Sequence, residues 1–312
     1  MSLQQFEYVL AVARYRHFTT AAEKCFVSQS TLSTMIRKFE EELGVVIFNR
    51  RKNPVEITRE GKQIIERLKI IDKEVAGLGE LIKEMKGELK GVLKIACIPT
   101  VAPYLLPLFL PDFSKKYPEL ILEVKESTTG EIIRKLKSRE LDIGIVSTPI
   151  NEPELTEYPL FREAFVLYDT SQIPESGKVR IDAVDLTNLW LLEEGHCLRD
   201  QVLEICNSKP EQTSGNIRFK AGSIDSLVKF VKSNKGKTLL PYLASENLSE
   251  PDSRYLSYFE NPVPARSVGL LVHRHFIKKK PLDLLTRKIV KKINELESKP
   301  NLQLTGKSGK TR

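Results

Sequence analysis

The chain has 312 residues, 41% of them hydrophobic and 29% charged, a globular composition long enough for two or three domains with separate cores. Its four cysteines are too few for a secreted disulfide scaffold, so a reduced, cytoplasmic protein is expected, and no run of about 18 uncharged apolar residues offers a membrane span. The formal charge is +8, but residues 278–312 hold eleven Lys and Arg against three Asp and Glu; the excess belongs to a C-terminal helix and tail and says little about nucleic acid.

The opening stretch MSLQQFEYVLAVARYRHF is amphipathic and interrupted by Gln, Glu and Arg, without the apolar core or cleavage site of a signal peptide. In FTTAAEKCFVSQSTLSTMIRKFEEELG, Thr19 or Thr20 is expected to cap a short helix carrying Ala21 and Ala22. A break at Phe26 to Ser28 leads to a second helix from about Gln29. Leu32, Ile36, Phe39 and Leu43 step by four, three and four along one buried stripe. The opposite face shows Ser30, Ser33, Thr34 and Arg37, short hydroxyls and one long cation that suit entry into a major groove. Two short helices with a tight turn read as helix-turn-helix. In VVIFNRRKNPVEIT, two β-prone runs flank Arg50, Arg51 and Lys52, a wing with a basic tip that can meet phosphate. Thr20, Gln29, Ser30, Thr31, Ser33, Thr34, Arg37, Arg50, Arg51 and Lys52 are the candidate DNA contacts. A small helical subdomain with a solvated basic loop is the plain alternative.

Thr58 to about Lys86 reads as one long helix, roughly 40 Å at 1.5 Å per residue. Ile64, Leu68, Ile71, Val75, Leu78, Ile82 and Met85 repeat at four and three, a heptad seam that favours a partner helix over packing on its own domain. Two reading heads on a paired helix match a two-fold operator. KGELKG ends the helix, with Gly87 and Gly91 as hinge points.

From Val92 strands and helices alternate: VLKIACI, YLLPLFLPDFSKKYP, LILEVKES, TGEIIRKLKSREL and DIGIVST form a βαβαβ unit with a parallel sheet. A second set follows in FVLYD, LWLLEEG, IRFKAGS, DSLVKFVKS and KTLLP, and the chain returns through SVGLLVHR to a last helix in LLTRKIVKKINELES. Two α/β lobes are expected, with crossing connections near residues 161–166 and 262–268. Ligand sites in such sheets lie beyond strand C-terminal ends. Thr100, Thr128–Thr129 and Gly195-His196-Cys197 stand at such ends. Residues after Lys299 are expected to be disordered.

The segment SLQQFEYVLAVARYRHFTTAAEKCFVSQSTLS, the wing and the heptad helix together resemble the LysR-type transcriptional regulators. IPTVAPYLLP, and GHCLRDQ followed by Cys206, are similar to the OxyR branch of that family, the hydrogen peroxide sensors. The resemblance runs from residue 1 to about 298. It implies an N-terminal all-α winged helix-turn-helix plus a long dimerisation helix, then a C-terminal two-lobed α/β effector domain like a periplasmic binding protein. The expected limits are 1–58 for the DNA-binding domain, 59–90 for the dimerisation helix, 91–298 for the effector domain and 299–312 for the basic tail. Ser30 departs from the family, standing where many members have Pro, which bears on operator preference. In VKSNKGKTLLP, Lys235 and Lys237 replace the smaller, Gly-richer residues expected of peroxide sensors, a departure that bears on a dimer surface or on coupling to the wing.

Leu198, Val202 and Ile205 make an apolar helical stripe, so Cys197 and Cys206 lie roughly 13 Å apart along an intact helix and on opposite faces. A disulfide needs Cα atoms within about 7 Å. Joining them requires the segment to refold, a switch between two packings. Cys197, at the expected helix start beside Arg199 and His196, looks like the attacking thiol, with Cys206 as the resolving one. The resemblance implies these roles, implies that Thr100 and Thr129 hold peroxide or its water, and implies that Asp200 orients the site. Two buried small residues in an ordinary helix are the alternative.

Cys25 and Cys97 read as interior residues, and His273 and His275 as surface residues without a third ligand. No phosphate-binding loop, dinucleotide turn or Ser-His-Asp pattern appears, so no cofactor and no metal are expected. The expected protein is a non-enzymatic homo-oligomer, a dimer of dimers, that controls oxidative-stress genes. Its partners would be double-stranded promoter DNA, hydrogen peroxide, RNA polymerase and a thiol reductant. The rival readings are a LysR-type regulator with a small metabolite between its lobes, and a thiol peroxidase. A solute-binding protein is disfavoured by the absence of a signal peptide.

Overall fold

The computed structural model describes residues 1–185, 187–195, 197–205 and 219–297; the expectations for His196, Cys206 and the tail after Lys299 lie outside the described residues. The chain divides into two compact units, Met1–Glu88 and Leu89–Arg312. The division after Glu88 places the long helix with the N-terminal unit.

In the first unit, α1 (Leu3–Tyr15) starts at a capping box in which Ser2 and Gln5 satisfy each other's backbone amides. Next comes α2 (Phe18–Lys24), whose N-cap is His17, without a side-chain cap bond. Thr19 and Thr20 lie inside its first turn rather than capping it, because the helix begins two or three residues earlier than the hydroxyls suggest. The Ser28 hydroxyl caps α3 (Gln29–Leu43) by accepting from the Thr31 amide, and Gly44 ends it at φ +65°. The stripe of Leu32, Ile36 and Phe39 is buried against Tyr8, Val9 and Val12 of α1 and Ala21 and Ala22 of α2.

The expected wing hairpin is a short antiparallel ladder of β1 (Phe48–Asn49) and β2 (Glu56–Ile57). Thr58 then ties α4 (Arg59–Met85) to the wing: its hydroxyl donates to the Val46 carbonyl at 2.7 Å and accepts from the Gly61 amide at 2.9 Å. The first part of the heptad seam, with Ile65 beside it, is spent on the unit's own core: Leu68 is buried and Ile64 packs partly against the same cluster. From Ile71 onward the seam is exposed, reaching 62% at Leu78 and 80% at Met85.

In the second unit, β3 (Gly91–Cys97), α5 (Ala102–Lys116), β4 (Leu120–Glu126), α6 (Thr129–Lys137) and β5 (Ile143–Thr148) form the expected βαβαβ motif. Here β3 pairs in parallel with both β4 and β5. Strand β6 (Leu155–Asp169) is followed by β7 (Lys178–Val179), α7 (Cys197–Ile205), α8 (Ile224–Ser233), β8 (Lys237–Pro241), α9 (Tyr242–Ser245), α10 (Glu250–Ser253), β9 (Leu256–Phe259), β10 (Ala265–His273) and α11 (Lys279–Glu297). The crossings are made by strands. Up to Ala164, β6 pairs with β10; from Phe165 it pairs with β8 and β9 in the second lobe. LWLLEEG is not the expected strand: it makes only isolated bridges, Leu189 to Lys237 and Leu192 to Ala221. Its apolar residues are buried all the same, and burial without a ladder gives the same apolar run.

Two further expectations change. His273 is buried at the end of β10 rather than at the surface, and its Nδ1 accepts from the His275 amide at 3.1 Å. Lys237 is buried too, with its ammonium 3.1 Å from Asp185 and 3.8 Å from Asp169, so it braces the second lobe and offers no dimer surface. Lys235 sits at φ +46°, a conformation that glycine takes at less cost.

Candidate functional site

Three helix starts converge on one recess at the C-terminal ends of β3 and β4. Thr100 lies two residues before α5, Thr129 is the first residue of α6, and Cys197 is the first residue of α7. Ile98, Pro99, Thr100, Thr128, Thr129, Gly195 and Cys197 line it, around a free volume of about 10 Å³, room for one water-sized molecule. The Thr129 hydroxyl and the Cys197 thiol share a hydrogen bond of 2.7 Å. The aligned backbone dipoles at the helix starts favour negative charge in this space.

The recess stands on a buried ion pair. Arg266 of β10 donates from Nε to Glu163 of β6 at 2.8 Å, and these side chains are 1% and 2% exposed. Its Nη1 donates to the Thr100 hydroxyl and its Nη2 to the Thr100 carbonyl, both at 3.0 Å. Since that hydroxyl oxygen already accepts from Arg266, its own hydrogen is left to donate elsewhere. The second carboxylate oxygen of Glu163 accepts from the Leu243 amide at 2.9 Å, at the start of α9. Thr100 in the first lobe, both crossing strands and α9 in the second lobe are thereby held in one network. Cys97 lies under the recess, fully buried; desolvation pushes its thiol well above the ordinary range, with Arg266 acting weakly against that.

On the N-terminal unit, Gln29, Ser30, Thr31, Thr34, Arg37, Arg51 and Lys52 are exposed, and Thr20 and Ser33 are half-buried. The Ser28 hydroxyl bonds those of Ser30 and Thr31 at 2.9 and 2.8 Å, gathering three hydroxyls at the start of α3. Arg50 differs from its expected role. Its Nη2 lies 2.7 Å from Glu40, its Nη1 donates to Ser33 at 3.0 Å, and the guanidinium stacks over Phe18. Because Glu40 also accepts from the Ile47 and Phe48 amides, Arg50 clamps the wing to α3 instead of reaching for phosphate.

Residues 3–62 match the family described as "Bacterial regulatory helix-turn-helix protein, lysR family", and residues 86–285 match "LysR substrate binding domain". This chain belongs to the LysR family. It is similar to the "Hydrogen peroxide-inducible genes activator" of Haemophilus influenzae, with 33% identity over 87% of this chain and 90% of that protein. It is similar also to the "DNA-binding transcriptional dual regulator OxyR" of Escherichia coli K12, with 34% identity over 87% and 89%. Among solved structures it resembles a full-length OxyR variant from Pseudomonas aeruginosa, with a TM-score of 0.73 and 31% identity over 93% of this chain and 98% of that one. The chain is thus an OxyR-like LysR regulator, a DNA-binding transcription factor and not an enzyme.

In this LysR regulator, Thr100, Thr129 and Cys197 come together as the sequence suggested, whereas Arg199 and Asp200 do not join them. Arg199 donates from Nη1 to the Leu192 carbonyl at 3.1 Å, stapling α7 to the neighbouring apolar segment, and Asp200 is exposed. Sequence reasoning missed Glu163 and Arg266. Their signal was present: each crossing connection carries an acid or a base among apolar residues, and buried opposite charges at two adjacent strands pair. Among the described residues no group of three His, Cys, Asp or Glu is placed to hold a metal, and no helix is long and apolar enough to cross a membrane.

Proposed function

We propose that this regulator senses hydrogen peroxide through Cys197 and converts the oxidation into a change in DNA binding. The observation that carries the reading is the Thr129–Cys197 hydrogen bond at the mouth of a water-sized recess where three helix starts meet. The Cys197 thiolate attacks one peroxide oxygen, the O–O bond breaks, and the leaving hydroxide takes up a proton to become water. The sulfenic acid left on Cys197 is then attacked by the Cys206 thiol, forming the disulfide and expelling a second water. Thr129 and Thr100 are the donors near the reacting oxygens. A recess this small beside the Cys197 sulfur suits a small oxidant better than an organic metabolite, which favours this reading over a metabolite-responsive one.

α7 runs from Cys197 to Ile205, so its ends stand roughly 12 Å apart. A bond between Cys197 and a residue beyond the helix requires α7 to unwind, and that refolding is the signal. α3 reads promoter DNA through Gln29, Ser30, Thr31, Ser33, Thr34 and Arg37, with Arg51 and Lys52 of the wing on phosphate. α4 pairs with α4 of a second copy through its exposed seam, and two such dimers make the working tetramer. A cellular thiol reductant resets the switch, and RNA polymerase reads the outcome. The hydrogen peroxide-bound OxyR variant of Corynebacterium glutamicum, 25% identical with a TM-score of 0.62 over 99% of this chain and 98% of that one, supports peroxide as the ligand of this fold. The test is Cys197→Ser, assayed by operator footprinting before and after peroxide. The expected result is DNA binding that no longer responds to peroxide; a retained response contradicts the reading.

A further inference from the structure

Phe26 occupies the turn between α2 and α3 with 95% of its surface exposed, the most exposed large hydrophobic among the described residues. The turn that presents it is well defined. Its backbone is left-handed at φ +57°, its amide donates to the Glu23 carbonyl at 3.2 Å, and the Val27 amide donates to the Ala22 carbonyl at 3.1 Å. Val27, the next residue, packs against the hydrophobic core. The chain therefore turns Val27 inward and Phe26 outward. A left-handed backbone under a bulky side chain and an aromatic ring left in water both cost folding energy, and nothing within the unit returns it. Two residues later Ser28 gathers the hydroxyls of Ser30 and Thr31 at the start of α3, the end of a recognition helix that faces base edges. Of the groups offered there by a duplex, the thymine C5 methyl is the apolar one, and a phenyl ring is a suitable partner for it.

We propose that Phe26 is a specificity-determining residue that places its ring against a thymine methyl in each operator half-site. This rests on the reading of α3 as the recognition helix. The test uses the reduced full-length chain and a duplex that the wild-type protein itself selects from a random pool. Thymines are then replaced one at a time by uracil, which removes the methyl and keeps the pairing. Phe26→Ala removes the contact from both half-sites and is expected to weaken binding to the selected duplex roughly thirtyfold or more, the scale of two lost base contacts. A symmetric pair of thymines is expected to matter to the wild type and not to Phe26→Ala, and Phe26→Leu, which keeps an apolar tip, is expected to restore part of that sensitivity. Arg37→Ala serves as the control for α3. If Arg37→Ala loses binding while Phe26→Ala stays within about twofold of wild type, Phe26 makes no contact and the recognition helix stands. If both stay within about twofold, the reading of α3 fails and takes this contact with it. If Phe26→Ala weakens binding but every thymine keeps its wild-type sensitivity, the methyl contact is overturned.

Discussion

At the scale of residues, the proposed reactivity of Cys197 rests on one hydroxyl. Thr129→Val keeps the shape of the side chain and removes the 2.7 Å partner of Cys197; Thr128, which caps α6, is untouched. A hydrogen bond to a charged group is worth about 1.5–3 kcal/mol, so the variant should react with peroxide roughly tenfold or more slowly, measured by rapid alkylation of the remaining free thiol. The Asp185 carboxyl offers a separate check on the second lobe. Hydrogen bonds from the Thr187 hydroxyl and amide, then from Lys237, bring it down from 3.8 to about 2. Because the folded value is below the unfolded one, its contribution to stability is present above about pH 4 and disappears as pH falls toward 2. Asp185→Asn should be less stable than wild type above pH 4 and should lose less stability between pH 4 and 2, read by chemical denaturation. Thr100 and Thr129 were legible because strand ends in a parallel sheet converge by topology, and Cys197 was legible from the GHCLRDQ segment itself. Arg199 and Arg50 were not, because a long cationic side chain reaches any carbonyl or carboxylate within several ångströms, and sequence does not say which.

At the scale of elements, α4 shows how a periodic pattern can serve two partners. Its seam was legible from the four-three spacing alone. The division of the seam was not: Ile64 and Leu68 close the core of their own unit, and the exposed surface begins at Ile71. Leu78→Glu lies in the exposed part, so it should leave the thermal stability of the N-terminal unit nearly unchanged while breaking the α4 pairing and lowering the mass of the assembly, measured by sedimentation. Unchanged mass would show that this face does not pair. LWLLEEG teaches the reverse lesson. A short apolar run between turn signals fits a buried strand and a buried irregular segment equally well, and only its backbone pairing, isolated bridges to Lys237 and Ala221 instead of a ladder, decides between them. The crossing strands were legible as positions but not as a charge pair, because the partners stand 103 residues apart in the chain.

At the scale of the whole molecule, sensing and reading belong to different compact units, so the signal must be large enough to survive transmission through the chain that joins them. The proposed unwinding of a nine-residue helix would be such a signal, because it exchanges one packed arrangement for another instead of adjusting a contact. The domain order and the location of the thiol site were legible in the sequence; the network that carries Arg266 and Glu163 from the recess into both lobes required the fold. The central claim is that Cys197 and Cys206 form the switch, and thiol mapping tests it most directly. Reduced protein receives about one equivalent of hydrogen peroxide, free thiols are alkylated at once, and the peptides are read by mass spectrometry. The account predicts rapid formation of a Cys197–Cys206 linked pair, with Cys25 and Cys97 alkylated as free thiols. Slow oxidation, or oxidation scattered over the cysteines, would contradict it.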